Sequence, residues 1–367
     1  MREVDADISE RYWEEVSSLR VRSGGSDLEV VYTPLHGVGG EAMFDVMERA
    51  GHTGLMAVPE QAEPDGSFPT VAFPNPEEPG ALDLAIEMAR AESADLVIAN
   101  DPDADRLAVV VPHAGEWRPM SGNEIGVLLA DYVLANDSEP SSAIVASSIV
   151  SSPMLGDLAA VYGARHESTL TGFKWIVRAG RTVEEATDGR FVFGYEEALG
   201  YTIGPTVRDK DGIAAALFFT DLVADLADGG QALLDRLVEL WRRHGIWVSA
   251  QTSITARRSE GLDEIRRAIA RLGDDPPGEV AGLPVTAVTD YRSGGDNRPE
   301  WLGEQALIEL TLGYRGRVLA RPSGTEPKLK VYVDLREDAG PVPLQQHGAL
   351  TDRARGLGSA LADSLGL

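Results

Sequence analysis

The order of apolar and polar segments in this 367-residue chain predicts an α/β protein, with two consecutive α/β domains followed by a smaller α+β domain. Three observations carry that reading. Short apolar runs alternate with amphipathic stretches from the start; the rhythm breaks at the polar, turn-rich segment Asn136-Asp-Ser-Glu-Pro-Ser-Ser142 and then restarts; and the style changes near His244-Gly245 to several strands closed by one long helix. The domains are accordingly placed at 1–138, 139–245 and 246–367.

In order, Ile8, Tyr12, Val16 and Leu19 among charged residues predict an amphipathic helix over 8–20. Leu28–Tyr32 reads as a strand, Thr33–Gly40 as a Gly-rich loop and Glu41–Ala50 as a helix. A Pro-rich stretch, Pro64 to Pro79, leads into a helix near 80–92 and the strand Asp95–Ala99. Leu107–Val111 is a further strand and Ile125–Leu134 a helix, an alternation that predicts a parallel sheet. After the linker come a strand at Ala143–Ser147, a helix at Pro153–Tyr162, a strand at Arg190–Phe193 and a helix at Gly212–Leu226. The last domain reads as a strand at Trp247–Thr255, a helix at Leu262–Leu272, a Pro/Gly/Asp loop at 273–284, strands at 305–312, 316–321 and 329–335, and a helix near 344–364.

Composition narrows the function. The 43% hydrophobic and 25% charged fractions are those of an ordinary globular protein, and no apolar run approaches the ~20 residues of a membrane helix. The acidic start lacks the basic-then-apolar order of a signal peptide, and zero cysteines exclude disulfides, thiolate catalysis and Cys-based zinc sites, so a cytoplasmic protein is expected. A net charge of -26 argues against nucleic acid, and any phosphate site must be a local cluster of cations, backbone N–H or metal. Of 33 basic residues only Lys174, Lys210, Lys328 and Lys330 are lysines. Lysine is a compact point charge and a proton carrier that arginine cannot replace, and all four lie in segments unusual on other grounds.

Asp101-x-Asp103-x-Asp105-Arg106, between two apolar strands, carries three carboxylates on alternate positions of a tight loop. Unit charges ~5 Å apart at an effective dielectric of ~20 repel by about 3 kcal/mol per pair, so a converging set favours a cation, and hard oxygen donors point to Mg2+ or Ca2+. An EF-hand is excluded because Arg106 and Pro112 stand where Gly and Glu are needed. Arg106 suits a phosphate oxygen. Gly194-Tyr-Glu-Glu-Ala-Leu-Gly-Tyr201 puts Glu196 and Glu197 after a strand, as acceptors for sugar hydroxyls, as an acid/base pair, or as a plain solvated turn. Arg321-Pro-Ser-Gly-Thr-Glu-Pro-Lys328 offers two hydroxyls, a flexible glycine and flanking cations, a phosphate cradle or only a hairpin loop. Lys174 stands beside Gly172 and aromatics; Lys210 lies between two Asp before a helix, as proton donor, phosphate ligand or exposed ion pair. His36, in the loop after the first strand, either reaches a ligand or satisfies loop backbone.

Taken in order, Thr33-Pro-Leu-His-Gly-Val-Gly, Phe73-Pro-Asn-Pro-Glu-Glu-Pro-Gly-Ala-Leu82, the triple-Asp loop, Leu170-Thr-Gly-Phe-Lys-Trp175, Phe193–Tyr201, Arg208-Asp-Lys-Asp-Gly212 and Arg321–Pro327 resemble the α-D-phosphohexomutase superfamily, in its bacterial phosphoglucomutase/phosphomannomutase branch. The resemblance covers nearly the whole chain and implies two consecutive three-layer α/β/α domains followed by a smaller α+β C-terminal domain. It implies Asp101, Asp103 and Asp105 as Mg2+ ligands, Glu196 and Glu197 as sugar contacts, and Arg321, Ser323, Gly324 and Thr325, with Lys328 beside them, as holders of the non-reacting phosphate. Lys210 and Arg106 fall near the reacting centre and Lys174 on the substrate. The implied reaction moves a phosphoryl group between the 1- and 6-positions of a hexose through a phosphoserine and a hexose 1,6-bisphosphate intermediate, which also serves as activator.

Two departures stand out. Many relatives carry Ser after the acidic pair where this chain has Ala198, which leaves glucose versus mannose open. Nothing in the chain resembles the family's Thr-Ala-Ser-His-Asn-Pro-like nucleophile loop, so the first, phosphoserine-bearing domain is expected to be missing and the chain to be inactive alone. The alternative is a non-catalytic phosphosugar-binding protein. A haloacid-dehalogenase-type phosphatase is disfavoured because Asp105 replaces the Thr of its nucleophile pattern.

Overall fold

In a computed structural model, the chain is described over residues 6–255, 261–295, 298–323 and 328–366. Its elements run α1 (Ala6–Leu19), β1 (Val30–Thr33), α2 (Gly40–Ala50), β2 (Leu55–Ala57), α3 (Asp83–Glu92), β3 (Leu96–Ala99), β4 (Ala108–His113), β5 (Glu116–Pro119), α4 (Gly122–Asn136), β6 (Ala143–Ser148), α5 (Met154–Tyr162), β7 (Arg165–Thr169), α6 (Phe173–Ala186), β8 (Arg190–Glu196), β9 (Gly200–Ile203), α7 (Gly212–Asp228) and α8 (Leu233–His244). They continue β10 (Ile246–Thr255), α9 (Gly261–Asp274), β11 (Glu279–Val280), β12 (Leu283–Pro284), β13 (Ala287–Asp290), β14 (Ile308–Thr311), β15 (Gly316–Pro322), β16 (Lys328–Glu337) and α10 (Pro343–Leu365). Two compact units result. The first ends at Ser148 and resumes over 158–167 and 172–236; the second takes 149–157, 168–171 and 237–367. Among the described residues no helix is long and apolar enough to cross a membrane.

The first unit holds two α/β sheets. One has the order β2-β1-β3-β4-β5, the other β7-β6-β8-β9. In the first, β2, β1 and β3 are parallel, with Val31 and Val97 fully buried in register. From β3 onward the sheet turns antiparallel, which corrects the all-parallel expectation. Connection length is the physical reason. A parallel return needs about a dozen or more residues, and only the loop 100–107 separates β3 from β4. The second sheet repeats the device: β6 and β8 are parallel, but the three residues between β8 and β9 force a hairpin.

Each sheet reverses its strand order once among its parallel strands, between β1 and β3 and between β6 and β8. Crevices at the carboxyl ends of such strands are where open α/β sheets bind ligands. The Thr33–Gly39 and Asn100–Leu107 loops leave the first crevice, and Ser148 and Glu196 end the strands at the second.

Several elements went unread in the sequence. Helix α6 buries Phe173, Ile176, Val177, Gly180 and Val183 at helical spacing, and α8 buries Leu233, Leu237, Leu240 and Trp241. The segment read as a loop at 273–284 contains the end of α9 and the short hairpin β11–β12. Strands β2, β5 and β13 are edge pieces of only three or four residues, too short for a pattern to declare itself.

The second unit is built on an antiparallel sheet of order β10-β16-β15-β14-β13, with helices α9 and α10 accompanying it. Its core encloses a charge pair. The fully buried Asp334 carboxylate accepts from Arg317 Nε at 2.8 Å and from the Ser249 hydroxyl at 2.5 Å, while the same guanidinium donates to the carbonyls of Ile149 and Ser151.

A comparable knot fastens α1 and the α2–β2 turn to α7 in the first unit. Asp221, fully buried in α7, accepts from Arg20 Nε at 2.9 Å and from its terminal nitrogen at 2.7 Å, and pairs with His52 Nε2 at 2.8 Å. Removing one member of a buried pair leaves the other charge desolvated and unpaired. Asp221→Ala is therefore expected to cost about 3–5 kcal/mol of unfolding free energy, read as a lowered urea midpoint; a loss below about 1 kcal/mol would show that the pair is structurally idle.

Candidate functional site

The Asp loop is the tip of the β3–β4 hairpin. Its turn depends on Ala104, whose left-handed backbone (φ 58°) folds the chain back so that its N–H reaches the Asp101 carbonyl at 2.9 Å. A non-glycine residue in that region costs on the order of 1 kcal/mol, and such residues gather at functional sites. The turn brings one oxygen each of Asp101, Asp103 and Asp105 within 4.8 Å of one another.

The electrostatics of the cluster fit a cation. Burial, and then the charges of Asp105 and Asp103, push the Asp101 carboxyl up to about 6 against the Arg106 N–H that it accepts at 3.0 Å. Asp105 Oδ1 is buried with no hydrogen-bond partner. Arg106 Nε, 3.5 Å from Asp101 and 3.8 Å from Asp105, forms ion pairs there without a hydrogen bond. Three hard oxygen donors around an unsatisfied buried oxygen match Mg2+ better than a softer metal.

Three neighbouring segments hold this loop. From the β1 loop, Val38 N–H donates to Pro102 O at 2.9 Å. From the β8–β9 hairpin, Arg106 bridges Gly200 and Leu107 N–H donates to Leu199 O at 3.0 Å. At the start of α7, Gly212 N–H donates to Ala104 O at 3.2 Å. Only glycine fits there, since a Cβ on Gly212 would lie 2.3 Å from Arg106 O. Asn100 closes the loop from within, its Nδ2 donating to Arg106 O at 2.5 Å while its Oδ1 accepts from Tyr32.

The second acidic tip lies against the first. Leu199 is again a non-glycine left-handed residue (φ 64°). Glu196 ends β8; burial first, then the Glu197 charge, raise its carboxyl to about 7, with Lys210 and Arg106 pulling the other way. Glu197 Oε2 accepts from the Ser148 hydroxyl at 2.9 Å. The Glu197 backbone is fixed from behind by α4, where a Cβ on Gly122 would lie 2.0 Å from Glu197 O.

Lys210 joins the two tips. Its ammonium is 2.9 Å from Asp105 Oδ2, 3.3 Å from Asp209 and 5.6 Å from the centre of the Phe173 ring. Burial works against its charge, but the Asp105 hydrogen bond and the charges of Asp105, Asp209 and Glu196 prevail, so its pKa is raised and it stays an ammonium. Asp211, capping α7, accepts from Ala214 N–H at 2.9 Å and from the Tyr12 hydroxyl.

Thus Asp101, Asp103, Asp105, Arg106, Glu196, Glu197 and Lys210 come together in one unit. Lys174 does not join them through its own contact: exposed on the first turn of α6, it lies 5.3 Å from the centre of the Trp175 ring. His36 is buried with left-handed backbone, its Nε2 2.8 Å from the Thr70 side-chain hydroxyl. In the second unit, Arg321, Ser323 and Lys328 meet where β15 returns as β16. Ser323 N–H donates to Lys328 O at 2.8 Å, and Arg321 donates to the Tyr332 hydroxyl at 3.0 Å while its Nε is buried without a hydrogen-bond partner. Gly324 and Thr325 lie outside the described residues. Sequence reasoning missed Ser148 as a partner of Glu197 and Phe173 as a partner of Lys210; neither carries a local signal, because each acts on a residue brought near by the fold.

Models of the phosphoglucomutase/phosphomannomutase family match the chain in consecutive order: α/β/α domain II over residues 10–115, α/β/α domain III over 121–244 and the C-terminal domain over 283–340. The chain is 42% identical over 332 residues to a protein of Haemophilus influenzae named "probable phosphomannomutase", covering 90% of this chain and 64% of that one. It is 34% identical over 360 residues to a "probable phosphoribomutase" of Schizosaccharomyces pombe, covering 91% and 60%. The chain thus spans less than two thirds of the length of these curated relatives. Among solved structures, a phosphoglucomutase/phosphomannomutase family protein from Burkholderia thailandensis shares the fold, with a TM-score of 0.64 at 17% identity over 98% of this chain and 64% of that one.

A cation bound here would compete with the proton that burial favours on Asp101. Mg2+ affinity, measured by calorimetry, is therefore expected to fall by up to about tenfold per pH unit below about 6 and to level off above 7. Asp103→Asn is expected to weaken it on the order of tenfold or more at neutral pH; equal affinities for the two forms would remove the metal assignment.

Proposed function

Because the chain belongs to the phosphoglucomutase/phosphomannomutase family, we propose that it is the metal-, sugar- and phosphate-binding body of a phosphohexomutase acting on a hexose phosphate in the cytoplasm. One observation carries this reading. Three carboxylates converge at one hairpin tip, and that tip is tied by backbone hydrogen bonds to a second tip bearing Glu196 and Glu197.

Asp101, Asp103 and Asp105 would hold Mg2+, which when bound supplies positive charge to the oxygens of a transferring phosphoryl group. Arg106 and Lys210 face the same phosphoryl; Lys210, kept as an ammonium, serves as phosphate ligand or proton donor and not as a base. Glu196 and Glu197 accept hydrogen bonds from sugar hydroxyls. A carboxyl near 7 also lets Glu196 exchange a proton with a reacting hydroxyl at neutral pH. Lys174 contacts the substrate, and Arg321, Ser323, Gly324, Thr325 and Lys328 hold the non-reacting phosphate.

The 367 residues contain no Thr-Ala-Ser-His-Asn-Pro-like segment. We therefore assign the phosphoserine nucleophile to a segment outside them, and with it the fourth oxygen ligand of the metal. The same observation favours a second reading, a phosphosugar-binding protein without turnover. Incubated with Mg2+ and glucose 1,6-bisphosphate, this chain is expected to leave glucose 1-phosphate unconverted; ordinary turnover to glucose 6-phosphate would overturn the external nucleophile. It is nevertheless expected to bind glucose 1-phosphate, and Glu197→Gln to bind it more weakly. Absence of binding would sink both readings.

A further inference from the structure

We infer that Ser148 is a positioning residue that holds the Glu197 carboxylate in the orientation in which it receives sugar hydroxyls. The inference rests on the proposed role of Glu197 as a sugar contact. Ser148 is the last residue of β6, 2% exposed, and its hydroxyl donates to Glu197 Oε2 at 2.9 Å across the crevice where the second sheet reverses its strand order.

The geometry suits that task. Glu197 sits at the tip of a three-residue connection, where each hydrogen bond to its long side chain removes rotamer freedom. Gly122 of α4 closely approaches the Glu197 backbone, and the Ser148 hydroxyl acts on the side chain. Ser148 stands on a buried strand, and its hydroxyl has one rotor to orient. At 2.9 Å the Ser148–Glu197 contact is a hydrogen bond of ordinary length. That bond uses one of about four acceptor positions on the carboxylate, and it fixes where the others point.

The neighbouring serine provides an internal contrast. Consecutive strand residues face opposite sides of a sheet, and the Ser147 hydroxyl accordingly lies 2.9 Å from His166 Nε2 and not on the acidic tip. The pair looks alike in the sequence and is divided by the pleat.

The test is calorimetric titration of the 367-residue chain with glucose 1-phosphate in saturating Mg2+, and separately with Mg2+ alone. Ser148→Ala is expected to weaken glucose 1-phosphate by about tenfold, the worth of the freed glutamate rotamers, while leaving Mg2+ affinity unchanged. Ser148→Thr, which keeps the hydroxyl, is expected to restore most of the sugar affinity, and Ser147→Ala to behave as wild type. Adding Ser148→Ala to Glu197→Gln should bring little further loss. If Glu197→Gln weakens the sugar but Ser148→Ala does not, or if Ser148→Ala lowers sugar and Mg2+ affinity alike, the inference is overturned and the functional reading stands. If neither variant changes sugar binding, the role of Glu197 falls and the inference with it.

Discussion

The arrangement depends on a short backbone seam. Leu107 donates to Leu199, Arg106 bridges Gly200, and Gly212 closes against Ala104. Each partner belongs to a different part of the first unit: the hairpin of one sheet, the hairpin of the other and the start of α7. Backbone groups have fixed geometry, so the seam sets the distance between the Asp and Glu clusters more firmly than side chains would. Everything chemical about the site follows from that fixed distance, including the placement of Lys210 against Asp105 and near Glu196.

Crowding so many carboxylates is costly for a protein whose net charge is already -26. The molecule offsets part of the repulsion with Arg106 and Lys210; what stands adds to burial, the larger cause, in raising the carboxyls of Asp101 and Glu196. The remaining repulsion is what a divalent cation would relieve, and hydroxyls of a ligand could then donate to the carboxylates. Neutralising both acidic tips with further lysines would give a quieter folded protein with nothing left to attract a metal.

How much was legible in the sequence varies with the range of the interaction. The Asp loop declared itself because its residues are neighbours at a fixed spacing, and the Glu pair because it lies between glycines at a strand end. The sheets were legible as apolar runs, but their antiparallel halves were missed, although the eight residues from Asn100 to Leu107 are too few for a crossover. Helix α6 was obscured because its apolar positions Ile176, Val177 and Val183 are interleaved with Lys174, Arg178 and Arg181 and follow a glycine. Ser148 could not be found at all: 49 residues separate it from Glu197, and only the pairing of β6 with β8 brings them together.

The two acidic tips are hairpin returns, and this bears on how such a scaffold can diversify. Surface loops ordinarily absorb insertions and so provide raw material for new specificities. Here one extra residue between β3 and β4, or between β8 and β9, would shift the seam out of register and turn the carboxylates away from one another. Lengthening is closed as a route to a new substrate. What the backbone leaves open is exchange of side chains at constant length, at Ala198 in the acidic tip or on β6, whose Ser148 reaches that tip.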